Sequence, residues 1–340
     1  MLRLLGILIT VVCAIAAAVL TWPSFFRVDR IYPIAQIISF RSVLLAAFIA
    51  VTLLMLLVAL VRPMRAFAFS LALVFGLASA ASGAILLTRG VSGTDALPEQ
   101  TDTSIRVMTW NTAGDATPPE TVAKIAVAMD ADIVALPETT IETGEAVAIA
   151  MRGLDHPMWA HHTEYGDDGW DASSTTLLIS PALGDYAIIE SSLEGTSNTS
   201  TLPSAVAMPT DGSGPTVVVA HAVAPREAYM DSWRSDLQWL ADQCAEANVI
   251  MAGDFNATVD HFGGLGTNGG TLGDCHDSAV DTGSGAVGTW PSSIRALAGA
   301  PIDHVMASSH WVATGSVVLR TLDGSGSDHR PLIVQLEPAE

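Results

Sequence analysis

The sequence predicts a layered α/β domain carried behind three membrane-spanning helices. Three observations predict it. The first 90 residues hold three long apolar stretches. The remainder switches to a strongly acidic composition. Within it, short apolar runs alternate with helical patterns, and successive runs end in polar side chains.

The apolar stretches cover roughly residues 4–20, 43–61 and 66–87. A helix that crosses a bilayer needs about 17–25 apolar residues. The second and third stretches contain no charge. The first is shorter and follows a weak basic start at Met1-Leu-Arg3, as a signal peptide does. Two further spans directly behind it favour an uncleaved helix.

Residues 1–90 hold seven Arg and one acid, Asp29. Residues 91–340 hold 8 basic and 34 acidic residues, a net charge of −26, with Lys124 the only lysine. Such a surface repels a polyanion and argues against tight duplex-DNA binding, which rests on Lys and Arg contacts to phosphates. It attracts divalent cations. With the amino terminus inside, three spans place the large domain outside the cytoplasm. The Arg62-Pro-Met-Arg65 loop is then cytoplasmic, in keeping with the positive-inside rule. Arg27 and Arg30 argue the other way. The expectation is a multi-pass membrane protein with an extracytoplasmic domain. Cys244 and Cys275 are the domain's only cysteines; either they pair in an oxidising compartment or they are two separate buried thiols.

Gly90–Ser104 reads as a polar linker, and residues 105–340 are long enough for one α/β domain. Ile105–Trp110 alternates as a strand does. Thr117-Pro-Pro-Glu120 reads as a helix start with Thr117 as N-cap, followed by Val122, Ile125, Ala126 and Met129 on one face. Asp132–Leu136, Thr175–Ile179 and Thr216–Ala220 are apolar strands. Trp233, Leu237 and Leu240 have the spacing of a core-facing helix stripe. Strands follow at Asn248–Asp254, Ile302–Met306 and Leu332–Leu336, and residues 261–289 read as a Gly-rich loop. Sheets packed together with helices outside satisfy this order.

Met251-Ala-Gly-Asp-Phe-Asn256 is the sharpest local signal. It ends a buried strand, and the i, i+2 spacing points Asp254 and Asn256 the same way. Such a pair binds a phosphoryl group, orients a water or helps hold a metal; Gly-Asp also begins ordinary turns. Further polar groups close other strands: Asn111, Glu138, His221, Asp303-His304 and Ser327-Asp328-His329-Arg-Pro331.

In that order these motifs resemble the endonuclease/exonuclease/phosphatase superfamily, across about residues 104–337. Each motif is weak alone, and the six together carry the resemblance. It implies a four-layer α/β sandwich of the DNase I-like kind and Mg²⁺- or Mn²⁺-dependent cleavage of a phosphoester. Asn111, Glu138 and Asp328 match the metal-binding positions. His221 matches the histidine that contacts phosphoryl oxygens. Asp254 and Asn256 match the pair that orients the attacking water and the phosphate. Asp303 matches the carboxylate that holds a catalytic histidine, and His329 is that histidine. Pro137 stands where relatives often have Gln.

The chemistry is consistent with those residue types. Phosphoester cleavage needs a water held in line and negative charge neutralised on the oxygens. Mg²⁺ prefers a few hard oxygens and keeps waters. The expected substrate is a small phosphoester or a lipid head group, with nuclease activity or ligand binding without catalysis as alternatives. His156, His161 and His162 with Glu164 and Asp167-Asp168 lack zinc-site spacing. His304 is expected in core packing, Trp290 in the cleft or the core, Arg226 in a surface salt bridge, and Arg41 snorkelling to the membrane interface.

Overall fold

The computed structural model describes residues 2–93, 96–166, 170–189, 198–245 and 247–339. Three helices in it are long and apolar enough to cross a membrane: Arg3–Thr21, Arg41–Val58 and Arg62–Arg89, with mean hydropathies of 2.7, 2.4 and 2.0. They comprise α1 (Leu2–Thr21), α3 (Arg41–Val58) and α4 (Arg65–Arg89). A short helix that the sequence pattern did not disclose, α2 (Ile34–Ser39), lies between the first two.

The rest is a sandwich of two six-stranded mixed sheets. The first sheet has the order β11 (Trp311–Val318), β12 (Leu332–Pro338), β1 (Ile105–Thr109), β2 (Ile133–Pro137), β4 (Ser174–Ile179) and β3 (Trp159–Glu164). The second has the order β5 (Tyr186–Ile188), β6 (Ala205–Pro209), β7 (Thr216–His221), β8 (Val249–Asp254), β10 (Asp303–Ala307) and β9 (His276–Asp277). Each holds one parallel pair, β1 with β2 and β7 with β8; the other pairs are antiparallel.

Strand alternation builds the layers. Val107, Ile133, Ala135 and Leu177 of the first sheet meet Val217, Val219, Ile250, Ala252 and Val305 of the second in the central core. The opposite face of the first sheet, with Met108, Val134, Leu136 and Leu178, is covered by α5 (Pro119–Ala128) and α6 (Ile141–Arg152). The opposite face of the second, with Val218, Val249, Met251 and Met306, is covered by Trp233, Leu237 and Leu240 of α7 (Met230–Gln243). Helix, sheet, sheet and helix make the expected four-layer sandwich.

Several local details differ from the sequence reading. The N-cap of α5 is Pro118 rather than Thr117, and its buried face is Val122, Ala123 and Ala126. The 261–289 stretch contains β9 and a single helical turn, α8 (Ser278–Asp281), capped by the Asp277 carboxylate. The segment after α4 is fastened from its start: Gly93 N–H donates to Gly283 O, and Ala286 N–H donates to Gly90 O, both near 2.9 Å (2.8 and 2.9 Å). Arg41 does not snorkel; it is buried and ion-paired. A guanidinium that finds a carboxylate at the helix end has no reason to reach for water.

Cys244 and Cys275 form a disulfide. It joins the end of α7 to the loop before β9, across a sequence separation of 31. In the chain-entropy picture a loop of this size contributes about 4 kcal/mol. Alkylation of unreduced protein should therefore leave residues 244 and 275 unlabelled by mass spectrometry. Labelling of both without reductant would show the bond absent.

Candidate active site

Strand register assembles the site. On the second sheet, His221 of β7 is paired laterally with Asp254 of β8. Asp254 in turn faces Asp303 of β10. Three polar side chains thus stand side by side across three adjacent strands. Gly253 makes this possible: a Cβ there would lie 2.0 Å from Ala220 O. Its φ of +152° is also one that side-chain-bearing residues rarely adopt.

On the first sheet, β1 and β2 run in parallel and deliver Asn111 and Glu138 just beyond their ends. Glu138 has a left-handed backbone, φ 54°. A non-glycine residue held there stores strain that the surroundings must support. Gly114 N–H, donating to Glu138 O at 3.0 Å, is part of that support. The loop before β12 supplies Asp328 and His329.

All eight residues singled out from sequence meet in one connected group. Asn111 Nδ2 donates to Glu138 Oε1 (3.0 Å) and Asp254 Oδ2 (3.2 Å). His221 Nε2 lies 3.7 Å from Glu138 Oε1. His329 Nδ1 donates to Asp303 Oδ2 at 2.8 Å. His329 Nε2 lies 3.7 Å from Asp254 and 3.9 Å from Asp328. Asn256 closes the turn: its N–H donates to Asp254 Oδ1 (2.8 Å) and its Nδ2 to Ala222 O (2.9 Å). Asn111 therefore presents its amide nitrogen to the carboxylates, while its Oδ1 accepts from Ala113 N–H.

Electrostatics sort these groups. Burial pushes the Asp254 carboxyl up, and neighbouring Asp303 adds to the rise, against His329 and His221. Burial alone would lower His329, but Asp303 and Asp254 outweigh it, so the imidazolium is favoured. Burial also opposes ionisation of Glu138, yet His221 and Asn111 prevail and hold it at about 2. Glu138 is thus a firm anion and His329 a cation lodged between carboxylates.

Among the described residues, Asp254, Asp303 and His329 form a group whose ligand-capable atoms lie within 4.8 Å of one another. A proton competes there, because His329 Nδ1 already donates to Asp303 and the ring is held cationic. Glu138 is the better oxygen donor for a hard cation: it is ionised, and its Oε2 has no hydrogen-bond partner among the described residues. Glu138, Asp328 and, once that amide turns over, the Asn111 oxygen would supply donors of the kind a hard divalent cation prefers.

Supporting residues escaped sequence reasoning. Ser327 Oγ donates to Asn111 O and accepts from His329 N–H, tying two motifs together (2.6 and 2.9 Å). Thr289 Oγ1 accepts the N–H groups of Ile302 and Asp303. Asp236 holds the chain after His221 through Val223 N–H at 3.0 Å. Buried Arg330 donates to the carbonyls of Gly288, Pro291, Ser292 and Ile294. That fixes the loop carrying Trp290, whose Nε1 donates to Asp328 at 2.8 Å. Trp290 thus lines the site. Ser327 and Arg330 carried a signal, as members of the Ser327–Pro331 motif, and Trp290 was expected in the cleft or the core. His304 is buried against Phe255 and Phe262, as expected, and is also an ion-pair partner of Asp277 (2.7 Å). Arg226 is exposed and makes no ion pair among the described residues. His156 and His162 serve Ala131 O and Thr176 separately, and Asp167-Asp168 lie outside the described residues.

The chain belongs to the endonuclease/exonuclease/phosphatase family, whose model matches residues 108–329. The members of that family are hydrolases that act on phosphoester bonds. No curated protein matches in sequence. Among solved structures, the chain is similar to an endonuclease/exonuclease/phosphatase from Beutenbergia cavernae: 18% identity, 70% of this chain and 72% of that one, TM-score 0.50. It is also similar to humanized D. rerio TDP2: 15% identity, 69% and 99% coverage, TM-score 0.50. A family protein from Leptotrichia buccalis gives 13% identity, 68% and 99% coverage, TM-score 0.50. These likenesses speak to the fold.

Two pH effects follow from linkage. Glu138 has a depressed folded value, so its contribution to stability is present above its ordinary 4.5 and is lost as pH falls toward about 2. Glu138→Gln should flatten that acid limb of the melting temperature. His329 has a raised value, so its contribution is complete below its ordinary 6.5 and is lost as pH rises through the folded value. Asp303→Asn should move the alkaline loss to lower pH. An unchanged alkaline limb would mean that Asp303 does not hold the imidazolium.

Proposed function

We propose that this chain is a membrane-anchored, divalent-metal-dependent phosphoesterase that cleaves a phosphodiester or phosphomonoester by in-line attack of water. One observation carries the reading. His221 Nε2 is fully buried among the site's charges and has no hydrogen-bond partner among the described residues. A buried polar atom left without a partner costs about 1–3 kcal/mol. A phosphoryl oxygen is the partner such a group lacks.

The roles follow from position. Asp254, pushed toward neutrality and beside the cationic His329, orients the water and accepts its proton. His329 and His221 donate to the oxygens that gather charge. Asp303 fixes the His329 tautomer and orientation. Asn256 holds the Asp254 carboxylate in place, since its amide is committed to the turn. Glu138, Asp328 and Asn111 would hold the Mg²⁺ or Mn²⁺, whose contribution is to neutralise charge on the phosphoryl group and its leaving oxygen.

The disulfide supports an oxidising compartment for the domain, and so its place outside the cytoplasm. The net charge of −26 in residues 91–340 favours a small phosphoester or a head group over duplex nucleic acid.

The purified full chain should hydrolyse bis-p-nitrophenyl phosphate with Mg²⁺ or Mn²⁺ and stop with chelator. His329→Ala and Asp254→Ala should each lose at least about a hundredfold in kcat. Near-normal turnover by Asp254→Ala, or indifference to chelator, would refute the assignment.

A further inference from the structure

The strand that ends in Asp254 continues into a loop, residues 255–263, that reaches from the site to the ends of the apolar helices. Its turn, Val259–His261, is capped by Thr258. One flank is held inside the sandwich: His304 Nε2 donates to Ala257 O at 2.9 Å.

The other flank is held by the apolar region. His261 Nδ1 accepts from Thr258 N–H (2.7 Å), which leaves the proton on Nε2. That Nε2–H donates to Ala35 O of α2 at 3.0 Å. Arg30 Nη2 donates to Gly263 O at 3.1 Å. Asp260 sits between two guanidinium groups from different helices. Arg41, the first residue of α3, donates through Nε (2.8 Å) and Nη2. Arg89, the last residue of α4, donates through Nη1 (2.7 Å) and Nη2 (2.8 Å).

Arg41 is 4% exposed and Asp260 7%. Buried ion pairs return little net stability, because desolvation offsets the attraction. What two bidentate forks on one carboxylate do fix is position. A second contact repeats the pattern. Phe40, between α2 and α3, rests against Trp290 at a ring-centroid distance of 6.0 Å, and Trp290 donates to Asp328. Two loops of the site therefore lean on one helix junction.

We propose that Arg41 and Arg89 are positioning residues: through Asp260 they fix the loop that sets Asp254 and Asn256, so the apolar helices build part of the active site besides anchoring it. The kinetic side of this proposal rests on the phosphoesterase reading; the structural side does not.

The test uses the full chain in phosphatidylcholine nanodiscs. Arg41→Gln, Arg89→Gln and Arg41→Lys are compared with the parent by hydrogen exchange and by bis-p-nitrophenyl phosphate kinetics with Mn²⁺. Each Gln variant should speed exchange across 255–263 by about tenfold or more, while β1, β2 and β4 keep their protection. It should lower kcat by about tenfold or more with KM within about twofold, and Arg41→Lys should recover part of the loss. Loop exchange and kcat within about twofold of the parent in both Gln variants would overturn the proposal. So would loss of protection in β1, β2 and β4 along with the loop in all three variants, since that marks a general fold defect. If the parent turns over no phosphoester, the functional reading fails, and the exchange across 255–263 alone decides the positioning.

Discussion

The constraint on which the rest depends is the lateral register of β7, β8 and β10. It places His221, Asp254 and Asp303 in a row at one end of the second sheet. Burial and the neighbouring Asp303 carboxylate disfavour ionisation of Asp254. His329 relieves this by donating to Asp303 while facing Asp254. The His329 backbone N–H is in turn held by Ser327, the Asp303 backbone N–H by Thr289, and the Asp328–Trp290 side by Arg330. Much of the polar network around the site holds the His329 imidazolium between two carboxyl groups.

The two sheets contribute differently. The second sheet carries the row His221, Asp254 and Asp303, at strand positions. The first carries Asn111 and Glu138 just past its parallel pair, where the backbone is free to turn. The left-handed Glu138 and the Asn111 amide that bridges Glu138 to Asp254 join the halves across the sandwich. The fold brings a firm anion, Glu138, on one side against the Asp254–His329–Asp303 cluster on the other.

Much of this was legible in the sequence. A strand that ends in a polar residue shows both its burial and its chemistry; the order Asn111, Glu138, His221, Asp254, Asp303, His329 carried the family resemblance, and the resemblance implied the sandwich in which these residues meet. Helix faces such as Trp233, Leu237 and Leu240 were legible for the same reason, through period. What stayed hidden depends on contacts between distant segments. The Arg41–Asp260 pair spans 219 positions, and neither residue has a local pattern that marks it. His304 packs in the core against Phe255 and Phe262 as expected, but its ion pair stayed hidden because Asp277 is 27 positions away. The turn of the Asn111 amide depends on which neighbours claim its oxygen, here Ala113 N–H, and no spacing rule expresses that.

The most direct measurement is anomalous diffraction from crystals soaked in Mn²⁺. The expected result is one strong peak coordinated by the Glu138 carboxylate, with the His329–Asp303 hydrogen bond intact. A peak among Asp254, Asp303 and His329, with that hydrogen bond broken, would contradict the division of labour between a metal-holding side and a proton-handling side.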